Sequence, residues 1–259
     1  MVADERLLLF SALGGVLICF LLAPFLALLL IQDPRVLGEV FSRPSLYTEM
    51  YSSLLVLVEA SLTSTLLLSI VGVPLAYLLA RYDFRGKGVV ESIVDLPLML
   101  PHTVAGIMVL AAYGSRGLLH LGLEDTFWGI VAVMMFVSAP LLVDSVRVAV
   151  EKVDVMLEVV ARSLGAGPLR AFATITLPLS LNGVAAGVVL AWARAVSEVG
   201  ALLIVAYYPK TASILVLEWL NTYGLRYAAA LSLVLVCMSL AFFAAFRLLR
   251  RGGGAVLST

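Results

Sequence analysis

The chain has 259 residues, of which 62% are hydrophobic and 13% are charged, and its mean hydropathy is +1.09. Because a soluble domain carries roughly 25% charged residues, a chain of this composition cannot cover its surface in water. It is predicted to be an integral membrane protein in contact with the lipid bilayer. The formal net charge of +0 argues against nucleic acid as a partner.

The first apolar run, Leu7–Ile31, contains 25 consecutive residues without a charge. A spanning helix needs about 20 residues, and the run is too long for the apolar region of a signal peptide, so it is expected to remain as an uncleaved first helix. Residues 32–53 are polar and contain Pro34 and Pro44, and they are predicted to form a loop. The first helix is therefore an arm, residues 7–31, within a single transmembrane domain that covers residues 1–259.

Five further apolar runs complete a prediction of six transmembrane helices, which makes the fold class all-α. They cover residues 54–80, 96–113, 126–143, 181–208 and 227–249. The third run follows Asp95, and two prolines are expected to break its helix. Residues 114–125 and 209–226 are predicted loops, and residues 144–170 form a long polar connection. The core of the bundle is predicted to cover residues 54–249.

Basic residues favour the cytoplasmic side of a membrane, and their distribution orients the six spans. The bias is satisfied if both termini are cytoplasmic. The cytoplasmic segments then hold Arg6, Arg81, Arg85, Lys87, Arg147, Lys152, Arg162, Arg170, Arg247, Arg250 and Arg251. The external loops hold the smaller set Arg35, Arg43, Arg116, Lys210 and Arg226. This orientation places the connection after the fourth span in the cytoplasm.

That connection contains a short amphipathic helix. Met156, Val160 and Leu164 recur every four residues and share one face of it. Glu158 and Arg162 are spaced i,i+4 with the acid first, which is the favourable order, so they are expected to pair.

Glycine and proline mark the end of this helix. Gly165 follows at the C′ position, where glycine adopts a left-handed conformation at little cost. Gly167 and Pro168 are expected to prevent immediate continuation of the helix. The chain is then predicted to re-enter the membrane near Leu177 and Pro178.

This stretch resembles the cytoplasmic signature loop of ABC-type importer permeases of the type I class. The loop pattern there is Glu-Ala-Ala, three residues, Gly, and about nine residues later Ile-x-Leu-Pro. Gly165, Ile175, Leu177 and Pro178 match that spacing. The Glu-Ala-Ala part departs from the pattern, since only its last alanine is kept and the acid, Glu158, lies one position early.

The resemblance implies the type I permease fold, in which a short cytoplasmic coupling helix docks into a groove on a separate ATPase subunit. That helix lies in a coupling loop that covers residues 151–176. The residues expected to carry the coupling are Glu158, Ala161, Arg162, Gly165 and Ala166. The alternative is an interfacial helix that lies on lipid.

The chain lacks the motifs of an energy source or of catalysis. It contains no GxxxxGK[ST] phosphate loop and no GxSxG motif, so no catalytic residue is assigned and the chain is not expected to be an enzyme by itself. His102 and His120 are far apart, and Cys19 and Cys237 lie inside apolar runs, so neither a metal site nor a disulfide framework is expected. The chain needs no cofactor, and ATP and Mg²⁺ are expected to bind to the partner ATPase.

Three features are unusual inside predicted membrane spans: one pair of charged residues and two stretches that contain proline. Arg194 and Glu198 are four residues apart, and ions within a membrane are normally paired and face inward. This pair either locks the fifth helix against a neighbour or lies beside the translocation path. The other two features contain proline and are either simple kinks or parts of a gate: Pro97 with Pro101, and Ser138 with Pro140.

Four stretches together resemble the molybdate/tungstate permease subgroup: residues 95–107, 137–140 and 192–212, and the Gly165 loop. The resemblance implies a permease that moves a tetrahedral oxyanion into the cytoplasm by alternating access, in the cell membrane. Its implied partners are two ABC ATPase subunits, a second copy of this chain and an external oxyanion-binding protein.

Other readings of the sequence remain open. Sulfate and thiosulfate permeases share the Arg-x-x-x-Glu-x-Gly pattern that occurs here at Arg194, Glu198 and Gly200. A secondary anion transporter without an ATPase would carry inverted repeats with matched buried carboxylates, and no such repeat is found. An intramembrane enzyme is disfavoured because no nucleophile–base pair is present.

Overall fold

The structure, a computed structural model, describes residues 2–254, with side chains for residues 7–246. Within that range the regular secondary structure is helical throughout. The elements in chain order are α1 (Val2–Ile31), α2 (Pro34–Ser42), α3 (Pro44–Arg81), α4 (Lys87–Met99), α5 (His102–Tyr113), α6 (Phe127–Glu151), α7 (Val155–Ser163), α8 (Pro168–Ala171), a π-helical turn (Phe172–Thr176), α9 (Leu177–Val196), α10 (Leu202–Val205), α11 (Ala212–Thr222) and α12 (Leu225–Gly254).

Five stretches of helix in the described part are long and apolar enough to cross a membrane. They are Leu7–Ile31, Pro44–Arg81, Phe127–Glu151, Pro168–Val196 and Leu225–Phe246. The chain is therefore a multi-pass membrane protein with an all-α fold. The predicted third span is not one helix but two, because α4 ends at Met99 and α5, which is apolar but short, begins at His102.

Several predicted loops are helical instead. Pro34 and Pro44 are the first residues of α2 and α3, because proline at the first helical position lacks only an N–H that has no partner there. The same rule explains why Pro168 begins α8 rather than ending a helix. Residues 212–222, in the predicted loop 209–226, form α11.

The prolines inside the spans differ from one another in their effect. Pro97 lies within α4 and Pro140 within α6, and neither ends its helix. Pro101 lies in the break between α4 and α5 and precedes the first residue of α5. The prediction of a break is therefore right at Pro101 and wrong at Pro97.

Two other span boundaries also differ from the prediction. Helix α6 continues to Glu151, so that it includes the start of the predicted polar connection 144–170. The fifth span begins at Pro168 and ends at Val196, whereas residues 181–208 were expected.

The described chain divides into two compact units. The first unit comprises residues 2–51 and 215–238. Within it, Trp219 Nε1 donates a hydrogen bond to Glu49 Oε2 (3.2 Å) and the Tyr227 hydroxyl donates one to Glu39 Oε2 (2.7 Å). The span Leu7–Ile31 buries none of its residues. The prediction of a single domain with an arm at 7–31 stays a prediction.

The second unit comprises residues 52–214 and 239–254. Its core lies where α6 packs on α9 and on the end of α3, with Leu79, Leu142 and Val146 among the fully buried side chains. Helix α9 can approach α6 closely at Gly183 because glycine has no Cβ, and a Cβ there would overlap the side chain of Ala149. Small residues at such contacts are typical of helix packing in membranes.

Candidate functional site: a coupling helix and an intramembrane polar cluster

Helix α7 is the predicted amphipathic helix, and both of its ends are capped. Asp154 precedes it, and a carboxylate oxygen of Asp154 accepts a hydrogen bond from Met156 N (2.9 Å). Gly165 has a φ of +93°, and a Cβ there would meet nothing within 4 Å. Glycine is therefore needed at this position for its backbone conformation and not for space, as the sequence predicted.

Two backbone hydrogen bonds complete this helix end. Gly165 N donates to Arg162 O and Ala166 N donates to Ala161 O, both at 3.0 Å. These bonds are the two that define a Schellman motif, which satisfies the last carbonyl groups of a helix. Ala161, Arg162, Gly165 and Ala166 are thus joined in one rigid turn.

The outer surface of this segment is apolar and exposed. Val155, Met156, Leu157, Val159 and Val160 are all exposed on α7, and Leu164 and Leu169 expose 84% and 79% of their surface. An exposed apolar patch of this kind in a soluble or cytoplasmic segment marks a contact with protein or membrane.

Glu158 faces the opposite way, into the protein, and is only 7% exposed. Its carboxylate accepts hydrogen bonds from Arg81 Nε (2.9 Å), the Tyr77 hydroxyl (2.8 Å) and Thr176 Oγ1 (2.5 Å). Arg81 also donates to Val153 O (2.8 Å). We call these four side chains, Tyr77, Arg81, Glu158 and Thr176, the ionic anchor.

The predicted pair of Glu158 with Arg162 is therefore wrong. Helix α7 turns Glu158 toward the end of α3, where Arg81 provides a buried partner. Arg162 lies on the exposed side of the helix. A surface i,i+4 pair contributes only a few tenths of a kcal/mol, which does not compete with an anchor that gives Glu158 three donors.

Two opposing effects act on the pKa of Glu158. Burial is the largest single effect and raises the pKa. The hydrogen bonds from Thr176, Tyr77 and Arg81, together with the positive charge of Arg81, outweigh burial and hold the pKa below its ordinary value. Glu158 is therefore ionised at neutral pH, and the ionic anchor ties α7 to two spanning helices.

A second group of charged residues lies at the end of α9. Glu198 is fully buried, and its Oε2 accepts hydrogen bonds from Arg194 (2.7 Å) and contacts His102 Nδ1 (2.9 Å). Its other oxygen, Oε1, accepts from Ala201 N (2.8 Å). Arg194 NH2 also lies 3.0 Å from His102 Nδ1. We call His102, Arg194 and Glu198 the polar cluster.

The polar cluster forms where two helix breaks meet. Helix α9 ends at Val196, so Glu198 lies in the break before α10, and His102 begins α5 after the break at Pro101. Close approach of the two breaks requires glycine. A Cβ on Gly200 would lie 2.6 Å from His102 Cβ, and one on Gly106 would lie 2.8 Å from Ala201 O.

The sequence from residue 72 to residue 252 matches the family described as the binding-protein-dependent transport system inner membrane component. This match includes both the ionic anchor and the polar cluster. The chain belongs to this permease family.

One relative matches the permease over nearly its whole length, and another matches it over half of its length. The molybdate/tungstate transport system permease protein WtpB of Pyrococcus abyssi is 45% identical over 246 residues, which cover 94% of this chain and 95% of that protein. The molybdenum transport system permease protein ModB of Escherichia coli K12 is 46% identical over 138 residues, 50% of this chain and 60% of that protein.

Among solved structures, a chain of a bacterial alginate ABC transporter in complex with an alginate pentasaccharide-bound periplasmic protein is similar to the permease. The TM-score is 0.72 with 16% sequence identity, and the match covers 99% of this chain and 97% of that chain. At this identity the likeness shows the fold alone, which is that of type I ABC importer permeases.

His102 is the member of the polar cluster that sequence reasoning missed. Its spacing from His120 argues against a metal site, and the sequence predicts no pairing of His102 with Arg194 or Glu198. A usable signal was present, since His102 directly follows the proline break in an apolar run, where an ionisable side chain calls for a partner. The predicted pairing of Arg194 with Glu198 is confirmed, although Glu198 lies beyond the end of the helix.

Three other residues predicted for the path or gate lie in packed protein. Pro97, Ser138 and Pro140 are buried, and Ser138 Oγ has no hydrogen-bond partner among the described residues. Pro101 is exposed. The structure therefore brings Arg194 and Glu198 together with His102, which directly follows Pro101, and it shows no hydrogen bond from Ser138 to this group among the described residues.

Proposed function

We propose that this permease subunit of an ABC importer carries a tetrahedral oxyanion, tungstate or molybdate, into the cytoplasm by alternating access. The assignment of the substrate rests on the 45% identity, over 94% of the chain, to a relative named as a molybdate/tungstate permease. The ModB relative, named for molybdenum transport, supports the same substrate class.

The motor is a pair of separate ATPase subunits, which bind ATP and Mg²⁺. Helix α7 presents its exposed apolar face to a groove on each ATPase, on the cytoplasmic side, with both chain termini on that side. Ala161, Arg162, Gly165 and Ala166 shape the exposed end of this helix. Glu158 does not contact the ATPase in this proposal, because it is buried in the ionic anchor and transmits the movement of α7 to the spans.

Two copies of the chain form the path between them, since permeases of this family are expected to pair and a two-fold dimer is the simplest assembly. The path passes the polar cluster and Pro101. An external binding protein delivers the anion and provides most of the selectivity. The cluster's charges largely cancel, so the anion is not trapped, and conduction requires binding weak enough for release.

The orientation rests on the distribution of basic residues. Arg81 contacts Glu158 of the coupling helix, and Lys152 and Arg162 lie beside and within that helix in the sequence, which supports a cytoplasmic position for it. Arg6, Arg247, Arg250 and Arg251 also entered the predicted charge bias, and their side chains lie outside the described residues.

The proposal is tested by reconstituting the permease with its ATPase subunits and binding protein in vesicles. Tungstate and molybdate are expected to stimulate ATP hydrolysis and to accumulate inside only when ATP is supplied. Stimulation by sulfate alone would identify a sulfate permease instead. Anion uptake driven by an ion gradient, without ATP and without co-purifying ATPase, would contradict the proposal and indicate a secondary transporter.

A further inference from the structure

The most accessible side chain of the polar cluster has a ring nitrogen without a hydrogen-bond partner among the described residues. Both oxygens of Glu198 are occupied, and the guanidinium of Arg194 is shared between Glu198 and His102 and is 18% exposed. The imidazole of His102, in contrast, is 58% exposed. Its Nδ1 is turned to Arg194 and Glu198, so its Nε2 is the free ring nitrogen.

The neighbours of Nδ1 determine what Nε2 can do. Arg194 can only donate, so an Nδ1 that accepts from Arg194 places the single proton of the neutral ring on Nε2. If Nδ1 instead donates to Glu198 as part of an imidazolium, Nε2 also carries a proton. The remaining state, a neutral ring that donates Nδ1–H to Glu198 and leaves Nε2 as an acceptor, is opposed by Arg194, whose Nη2 is a donor 3.0 Å from the same nitrogen. In the two states that satisfy Arg194 or carry the additional proton, Nε2–H is a hydrogen-bond donor that points away from the cluster.

An exposed donor at this position does not suit a lipid-facing surface. Polar groups within the membrane normally face the interior of a bundle or an aqueous cavity. His102 is also the first residue of α5, where the backbone N–H groups of the first turn lack partners within the helix and carry partial positive charge. The surroundings of Nε2 therefore favour an anion.

We propose that Nε2–H of His102 donates a hydrogen bond to the oxyanion during its passage, and that the Arg194–Glu198 pair holds the imidazole in position for this contact. The inference rests on the proposed function. Arg194 and Glu198 cancel each other's charge, so the anion meets a single neutral or singly charged donor. Such a contact selects an oxyanion acceptor without retaining it.

The first test uses the fact that the chain contains two histidines, His102 and His120. The permease is labelled with ¹³C,¹⁵N-histidine, purified with a histidine-free tag and assembled with unlabelled ATPase subunits in nanodiscs. Sodium tungstate is added, with sodium chloride at equal ionic strength as the control. The imidazole signal of His102 is expected to shift and saturate with tungstate, while that of His120 does not move.

The second test measures uptake by the full complex. His102→Phe keeps the ring size and removes the donor, and the initial rate of tungstate uptake is expected to fall roughly tenfold or more, as for loss of a hydrogen bond to a charged group. His102→Gln retains an N–H donor and is expected to lose no more than about threefold. His120→Asn, at an exposed loop residue with a φ of +50° that asparagine tolerates, is the control and should transport like the unmodified protein.

Each outcome decides the inference. It is overturned if tungstate produces no shift of His102 beyond that of chloride, if His102→Phe transports like the unmodified protein, or if His102→Gln is as impaired as His102→Phe. The labelling test uses the unmodified permease, so it holds even where a variant fails to assemble. If the unmodified complex takes up none of these oxyanions, the proposed function itself fails, which is a separate result.

Discussion

The ionic anchor and the polar cluster both contain a buried Arg–Glu pair, yet they differ in what surrounds the pair. In the anchor, both partners are closed off, with side-chain exposures of 6% for Arg81 and 9% for Glu158. In the cluster, Glu198 is fully buried but His102 and, to a lesser extent, Arg194 reach an open surface. An Arg–Glu pair is thus closed off from the surface in the ionic anchor, whereas in the polar cluster it contacts an exposed imidazole.

The largest expected effect comes from breaking the closed pair. Glu158→Ala leaves the buried Arg81 without its partner, and an unpaired buried charge costs about 3–5 kcal/mol. We expect a marked drop in the unfolding temperature of the purified permease and a loss of ATP-driven uptake. Arg162→Ala removes the partner that the sequence predicted and should leave the unfolding temperature unchanged. Equal destabilisation by both substitutions would contradict the anchor.

A smaller effect is expected from removing a charge in the open group. Glu198→Gln keeps the size of the side chain but leaves the positive charge of Arg194 uncancelled, and replacing a charged hydrogen bond costs about 1.5–3 kcal/mol. The anion should then be held longer and uptake should slow by about tenfold. The double variant Arg194→Gln/Glu198→Gln restores neutrality and is expected to recover part of the uptake. If it is slower than the single variant, charge balance does not control passage.

The turn after α7 should respond on a smaller scale still. Gly165→Val places a β-branched residue at a φ of +93°, which costs about 1–2 kcal/mol. The strain is confined to the end of α7, so ATPase activity should become less dependent on substrate while the spans remain folded. Gly165→Asn tolerates the conformation better and serves as the comparison. If the valine variant keeps both normal uptake and substrate-stimulated ATP hydrolysis, this turn has no coupling role.

The anchor also predicts a dependence of stability on pH. The folded-state pKa of Glu158 lies below its ordinary value, so ionised Glu158 stabilises the fold at pH values above the unfolded-state pKa of about 4.3. This contribution disappears as the pH falls through the lower, folded-state pKa. Glu158→Gln should flatten the acid side of a stability–pH curve measured by thermal unfolding. If the acid side of the curve is the same in Glu158→Gln and in the unmodified protein, a group other than Glu158 causes the loss of stability at low pH.

The smallest change in stability is expected on the exposed face of α7. Val160→Ser alters a surface residue and should change the free energy of unfolding by less than about 0.5 kcal/mol. The same change should reduce co-purification of the ATPase subunits, because it removes part of the apolar docking face. Val89→Ser, at an exposed valine of α4, is the matched control. Loss of the ATPase in both variants, or in neither, would argue against this face as the docking surface.

The sequence predicted the local features of both regions better than their partners. Gly165 could be placed because a glycine after an amphipathic turn has a local cause. The partner of Glu158 could not, since Arg81 lies 77 residues earlier in the chain. His102 and Glu198 are 96 residues apart, and only the folded chain brings their two helix breaks together.

The boundaries of the helices show the same limit. Proline in the sequence predicts a loop or the end of a helix, but Pro34, Pro44 and Pro168 are each the first residue of a helix. Hydropathy located the five long spans, because the length of an apolar run reflects the thickness of the bilayer. It could not show that the fifth span ends at Val196, since the apolar run continues through residues 199–206 and the contact of Glu198 with His102 forms only in the folded chain.

The π-helical turn Phe172–Thr176 lies near the start of the fifth span, between α8 and α9, and its last residue belongs to the ionic anchor. A π-turn holds one residue more than an α-turn, and each residue of an α-helix advances the azimuth by about 100°. The side chains of Leu177–Val196 therefore point in directions set by this single additional residue. Deleting one residue from the turn would rotate the rest of the helix by about that angle and turn Arg194 and Glu198 together away from His102, so the π-turn sets the rotational position of the polar cluster.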